Sequence, residues 1–319
     1  MMLGELPVGE VSRRLKGAGL GIRTGPFTLR IRSDVDGVQR GLRLLYANHP
    51  VAEPQAFCDY AVSIRRRPGL RRWVRPQVQF LFDHDPVFEP LPLAHAFALS
   101  EWALNWCIGT NSHQYLVLHA AVIERQGLAA ILPAPPGSGK STLCAALVNR
   151  GWRLLSDELT LLSLADGQVH GLARPVSLKN QSIDIIQAFA PQAVFGDRTL
   201  HTAKGTIAHM RALPEHVRRV DEPARPAWVV FPRYVAQAPA DLVPKAKADA
   251  MLQLSRNAFN SGIVARQGFH ALADLVEQSD CFDFRYSRLD DAIAVFDRLV
   301  ELGAVRELSG RPTFRIYGL

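Results

Sequence analysis

The sequence predicts an α/β (α+β) protein of two domains: a smaller β-rich domain over residues 1–112 that ends in a helix, and a larger domain over residues 113–319. Three observations point there. Short runs in the first third alternate apolar and polar residues. Two nearly continuous apolar runs, Leu116–Ile123 and Leu128–Leu132, lead directly into a glycine-rich loop and a helix. The chain has 319 residues of which 48% are hydrophobic, enough apolar material to fill two cores.

In the first part, Phe27–Arg32 alternates with the period of a half-buried strand. Leu42–Tyr46 and Tyr60–Ile64 read as further strands, and Pro68-Gly69 is a turn signal. Val78–Phe82 is a short apolar run bounded by Pro76 and by Asp83-His84-Asp85-Pro86, as a strand is bounded. From Leu93 to Cys107 the pattern turns helical, with Phe97, Trp102 and Trp106.

The second part opens with Leu116–Ile123, read as one buried strand, and Leu128–Leu132, its neighbour across Gln126-Gly127. A helix is expected from Lys140 to Arg150, closed by Gly151. Arg153–Ser156 and Leu159–Ser163 are the next strands, and Asp166-Gly167 signals a hairpin turn. A loop-rich stretch follows, then a strand at Trp228–Phe231, and a β-like end at Thr313–Tyr317.

The formal net charge of +7 favours anionic partners without choosing among nucleotides, acidic proteins and anionic surfaces. Cys58, Cys107, Cys144 and Cys281 form no CxxC pair and no Cys/His ligand spacing, so reduced, mostly buried thiols are expected rather than disulfides or zinc. No basic segment followed by an apolar run opens the chain, and no stretch approaches the ~18 apolar residues of a membrane span. The expected compartment is the cytoplasm, with no membrane partner.

The chemistry concentrates in Ala134-Pro135-Pro136-Gly137-Ser138-Gly139-Lys140-Ser141-Thr142. This matches the Walker A pattern G-x-x-x-x-G-K-[ST] except at its first position, where Ala134 stands for glycine. Gly137 and Gly139 let backbone N–H groups approach phosphates closely, and the helix that starts here adds its positive end. Lys140 can reach the β and γ oxygens, and Ser141 can offer its hydroxyl to Mg²⁺. Pro136, Ser138 and Thr142 complete the expected nucleotide-binding set. Asp157-Glu158 follows the apolar Leu154-Leu155, only 17 residues beyond Lys140. One acid can hold Mg²⁺ while the other takes a proton from an attacking hydroxyl.

The run from His119 through this loop to Gly151-Trp152-Arg153-Leu154-Leu155-Ser156-Asp157-Glu158 resembles the catalytic domain of bacterial HPr kinase/phosphorylase, and more closely the group called HPr kinase-related proteins. The resemblance implies the P-loop fold shared with phosphoenolpyruvate carboxykinase, built on a mixed sheet, and an ATP- and Mg²⁺-dependent kinase acting on a hydroxyl. It implies Asp157 as the base that deprotonates a target serine, Glu158 as the acid assisting the metal, and His119 as a neighbour tuning the catalytic acid. In place of the glycine- and isoleucine-rich segment that HPr enzymes carry after the acids, this chain has Ala173–Asn180. HPr itself is therefore not implied as the acceptor. HPr enzymes are oligomers, and a homo-oligomer is compatible with the resemblance.

Among the other cations, Lys204 in His201–Thr206 is the best candidate for a phosphate contact, ahead of Lys179 and Arg233, with His209 weaker. Arg65-Arg66-Arg67, Arg71-Arg72 and Arg75 surround Pro68-Gly69 and Trp73, a basic hairpin with an aromatic. No recognised nucleic-acid motif accompanies it, so a solvated hairpin or an acidic-protein contact is expected. The expected activity is kinase transfer to a serine of a protein or peptide. A small-molecule hydroxyl kinase and a nucleotide-binding switch without transfer are the alternatives.

Overall fold

The computed structural model describes residues 1–69 and 73–309, the last seven of these as helical backbone alone. The chain divides into two compact units: Met1–Asn111 with Gly171–Glu222, and Ser112–His170 with Pro223–Leu319. Relative to a single cut near residue 113, the segment Gly171–Glu222 has changed sides. It is not loop-rich either. It carries a three-stranded sheet of Val176–Lys179, Gly205–Met210 and Thr199–Thr202, and a helix over Gln181–Phe189.

The first unit contains a mixed sheet in which Leu20–Thr24, Phe27–Ser33, Tyr60–Arg66 and Gln77–Phe82 lie side by side in that order. The expected strand at Leu42–Tyr46 is instead the last turn of a helix over Asp36–Leu45. The reason is spacing: Val38, Leu42 and Leu45 recur at helical intervals and are all buried. A five-residue, mostly apolar run is too short to distinguish the two periods. A helix over Ala96–Asn111 supplies Glu101 to a buried cluster. The Arg174 guanidinium donates to the Glu101 carboxylate at 2.8 Å and to Asn105 Oδ1 at 2.6 Å, and the Tyr46 hydroxyl donates to Glu101 at 2.8 Å. His49 is buried beside it, its ring 4.7 Å from that of Tyr46. The expected strand at Thr313–Tyr317, and Arg71 and Arg72, lie outside the described residues.

Among the described residues the second unit holds two sheets. Its elements in chain order are β1 (Tyr115–Leu118), β2 (Ala120–Arg125), β3 (Leu128–Pro133), α1 (Lys140–Val148), β4 (Arg153–Ser156), β5 (Thr160–Ser163), β6 (Val169–His170), β7 (Arg225–Tyr234), β8 (Asp241–Pro244), α2 (Lys247–Ser255), α3 (Ser261–Gln278), β9 (Asp280–Tyr286) and α4 (Leu289–Ser309). The larger sheet has the order β4-β2-β3-β7-β9-β8, and the smaller one β6-β5-β1. The apolar run Leu116–Ile123 is thus not one strand. It breaks at His119, whose backbone N–H donates to the Asn257 carbonyl at 2.7 Å, and its halves enter different sheets.

Pairing fixes where the strands end. β2 is antiparallel to both β3 and β4, while β7 is parallel to β3 and β9 is parallel to β7. So β4, β3, β7 and β9 all point one way, and their carboxyl ends share one edge of the sheet. In open α/β sheets that edge is where ligands bind. A buried ion pair across β2 and β4, Glu124 with Arg153, sits opposite in register and holds the edge strand in place. Losing one partner of such a pair costs about 3–5 kcal/mol, since it strands a buried charge. Behind the sheet, Trp152 is fully buried, its ring edge-on to Phe296 at 5.7 Å.

Candidate functional site

The loop from Ala134 to Gly139 leaves β3 at that edge and enters α1 at Lys140. Ala134 is buried, whereas Pro135, Pro136 and Gly137 are exposed. Gly137 and Gly139 have φ of +85° and +87°, the left-handed region where a Cβ is strained. Nothing lies within 4 Å of where a Cβ on Gly137 would stand, so that face of the loop is open. Gly139 is the opposite case: a Cβ there would come within 2.5 Å of the Tyr286 hydroxyl and 3.1 Å of the Tyr234 Cβ.

β4 returns the acids to the same edge. A bulge between Leu154 and Ser156 re-aims the strand just before Asp157. Asp157 is buried and Glu158 is half-buried. The Lys140 side chain, itself buried, donates to the Asp157 carbonyl oxygen at 2.9 Å. The loop lysine therefore meets the backbone of the first of the two acids. Behind them, burial first, and then the charge of Asp157, push the Cys144 thiol well above its ordinary range, so it stays a neutral core group. His119, at the bend between β1 and β2, is half-buried with its ring 5.5 Å from that of Phe259. It stands at the same edge, because β2 begins where β3 ends, Ala120 being level with Pro133. Ser141 and Thr142 open α1 and are half-buried.

The other cations separate. Arg233 is exposed near the end of β7, on this unit. Lys179, Lys204 and His209 belong to the first unit. Lys204 is exposed at a hairpin turn, its backbone N–H donating to Thr202 Oγ1 at 3.1 Å, and His209 is buried against Phe97. Arg65 and Trp73 are exposed.

Two residues that sequence reasoning did not single out hold the loop. Tyr234 and Tyr286 end β7 and β9 and are paired in register. The Tyr234 backbone N–H donates to the Ser138 carbonyl at 2.9 Å, and the Tyr286 hydroxyl donates to the Gly139 carbonyl at 3.0 Å. Burial pushes the Tyr286 phenol well above its ordinary pKa, so it remains a donor at all working pH values. The alternation Cys281–Tyr286 signals a strand, but nothing local in sequence tells that its last residue meets a loop 147 positions earlier.

Oxygen donors suitable for Mg²⁺ are present in Ser141, Asp157 and Glu158. No group of three or more His, Cys, Asp or Glu able to hold a metal unaided occurs among the described residues. Mg²⁺ takes oxygen ligands and usually binds through one or two carboxylates together with substrate phosphates, so these donors are of the right chemical type for it. An open cleft of about 900 Å³, lined by His113, Ser163, Asp166, His270, Asp274 and Glu277 among others, shares no residue with the loop and lies at the far end of the small sheet from His119. No described helix is long and apolar enough to cross a membrane.

Residues 285–319 match the family described as a protein of unknown function (DUF1403). No curated protein matches the chain. Among solved structures, the HPr(Ser) kinase/phosphatase from Coxiella burnetii aligns with 12% identity over 60% of this chain and 99% of that one, with a TM-score of 0.27.

Proposed function

We propose that the protein is an ATP- and Mg²⁺-dependent kinase that transfers the γ-phosphoryl group to a hydroxyl, in the first instance a serine of a protein or peptide. The observation that carries this reading is the Lys140 ammonium resting 2.9 Å from the Asp157 carbonyl at the loop edge of the sheet. It sets the loop lysine beside the backbone of the first of two adjacent acids, which supports the reading, and a pure binding site has no use for a proton acceptor.

On this reading the amides of Gly137–Ser141 and the N-terminus of α1 take the phosphate oxygens. Lys140 exchanges its carbonyl partner for the β and γ oxygens. Ser141 and Glu158 would hold Mg²⁺, which when bound would neutralise charge on the phosphates. Asp157 accepts the proton of the incoming hydroxyl, the new bond forms between that oxygen and the γ-phosphorus, and the bond to the β–γ bridging oxygen breaks to release ADP. His119 orients Asp157.

The test is γ-labelled ATP with the full-length protein and a lysate, with Asp157→Asn as the blank. The expected product is a labelled phosphoester that survives acid. Label in small metabolites would redirect the acceptor to a small-molecule hydroxyl. Hydrolysis independent of any acceptor, with no labelled product, would overturn the kinase reading in favour of a nucleotide switch.

A further inference from the structure

We propose that Tyr234 is the platform on which the base of the bound nucleotide stacks. This rests on the phosphate-loop reading and adds to it a site for the nucleobase, a purine by virtue of its larger face. The argument begins with direction. Asp157 and Glu158 follow β4, which lies two strands to one side of the loop strand β3. β7 and β9 lie on the other side. A triphosphate whose γ end sits by Lys140 and Asp157 has its α end and its base pointing away from the acids, across the loop towards β7.

Tyr234 waits there. β7 runs past the level at which β3 ends, Val229 being opposite Ile131, so its last residue rises alongside the loop. The backbone of Tyr234 is fixed by its bond to the Ser138 carbonyl. Its ring is propped by Tyr286, edge to face at 5.9 Å and 77°. Yet the residue is 52% exposed, which is unusual for a large ring beside so tightly built a loop. A propped aromatic with its outer side in solvent offers what base stacking needs: a π face already held in place. The next residues keep the floor rigid, for the Val235 N–H donates to the Tyr286 carbonyl at 2.9 Å.

The test separates base from phosphate. Affinities for ATP and for inorganic triphosphate, both with Mg²⁺, are measured on the full-length wild type, Tyr234→Leu and Tyr234→Phe. Leucine keeps the Cβ and the backbone N–H that touch the loop, so the phosphate cradle is left as it is. Stacking on an aromatic predicts a loss of roughly five- to hundredfold for ATP in Tyr234→Leu, no change for triphosphate, and near-wild-type ATP binding in Tyr234→Phe. Equal losses for ATP and triphosphate would show that Tyr234 only supports the loop, and would overturn the proposal. So would unchanged ATP binding in Tyr234→Leu, or a wild type that binds triphosphate as tightly as ATP. A wild type that binds neither would fail earlier, at the phosphate loop itself. Circular dichroism of the variants confirms that a folded protein is being titrated.

Discussion

Gly139→Ala isolates the tightest contact at the loop. The residue has φ of +87°, where a side chain costs about 1–2 kcal/mol. The added methyl would lie 2.5 Å from the Tyr286 hydroxyl, which has to withdraw, breaking its 3.0 Å bond to the Gly139 carbonyl. That adds about 0.5–1.5 kcal/mol. The Tyr234 Cβ, 3.1 Å away, cannot swing aside because it is attached directly to the backbone. The expected loss of stability is therefore about 1.5–3.5 kcal/mol, with ATP affinity reduced as well. Tyr286→Phe removes the oxygen and leaves the ring carbon at 3.4 Å, an ordinary contact. In the double variant the clash is already relieved, so the two losses are expected to fall short of additive by about 1 kcal/mol. Urea unfolding of wild type, both single variants and the double closes the cycle. Strict additivity, or a Gly139→Ala protein as stable as wild type with unchanged ATP affinity, would refute the account of how Tyr286 holds the loop.

Lys140→Ala is expected to weaken ATP binding by roughly ten- to hundredfold in a folded protein, read by calorimetry, because charge-assisted hydrogen bonds are worth about 1.5–3 kcal/mol. Asp157→Asn is expected to abolish transfer while keeping much of the ATP affinity, and Glu158→Gln to raise the Mg²⁺ concentration at half-maximal activity; wild-type turnover by Asp157→Asn would remove its role as base. In the first unit, burial above all, with the Arg174 charge beside it, lowers the pKa of His49 from 6.5 to about 4. The unfolded chain therefore takes up this proton first as pH falls, so the neutral imidazole's contribution is complete above about pH 6.5 and is lost on the way down to pH 4, about 3 kcal/mol in all. His49→Gln is expected to flatten the stability–pH profile in that window, and an unchanged slope would exclude His49 as its source.

The loop and its flanking elements were legible because their signals are local. An apolar strand, two glycines, a lysine and a helix follow one another within residues 128–148, and the structure has β3, the loop and α1 in that order. The return of Asp157 to the loop lysine was legible because only one helix and one turn separate the two, so a short spacing already suggests it. The helix end at Leu42–Tyr46 is not legible because a five-residue window holds both periods, and the break in Leu116–Ile123 is not because an apolar run does not record a change of sheet. Tyr234 and Tyr286 were invisible for a different reason: their positions at the loop depend on parallel pairing between strands far apart in sequence, which no local pattern encodes.

The Arg174 cluster bears on the order in which the chain can mature. Arg174 arrives from the segment that follows the loop and the acids, yet its carboxylate and phenol partners, Glu101 and Tyr46, come from the first 111 residues. As synthesis proceeds, Glu101 emerges before the cation that pairs with it. It cannot be buried cheaply until some seventy residues later, when the guanidinium emerges. The first unit is thus expected to remain loosely closed while β1 to β6 are being made, and to seal only when Gly171–Glu222 has left the ribosome. A nascent chain stopped at residue 160 would be sensitive to protease throughout its N-terminal part, and one stopped beyond residue 260 would resist there.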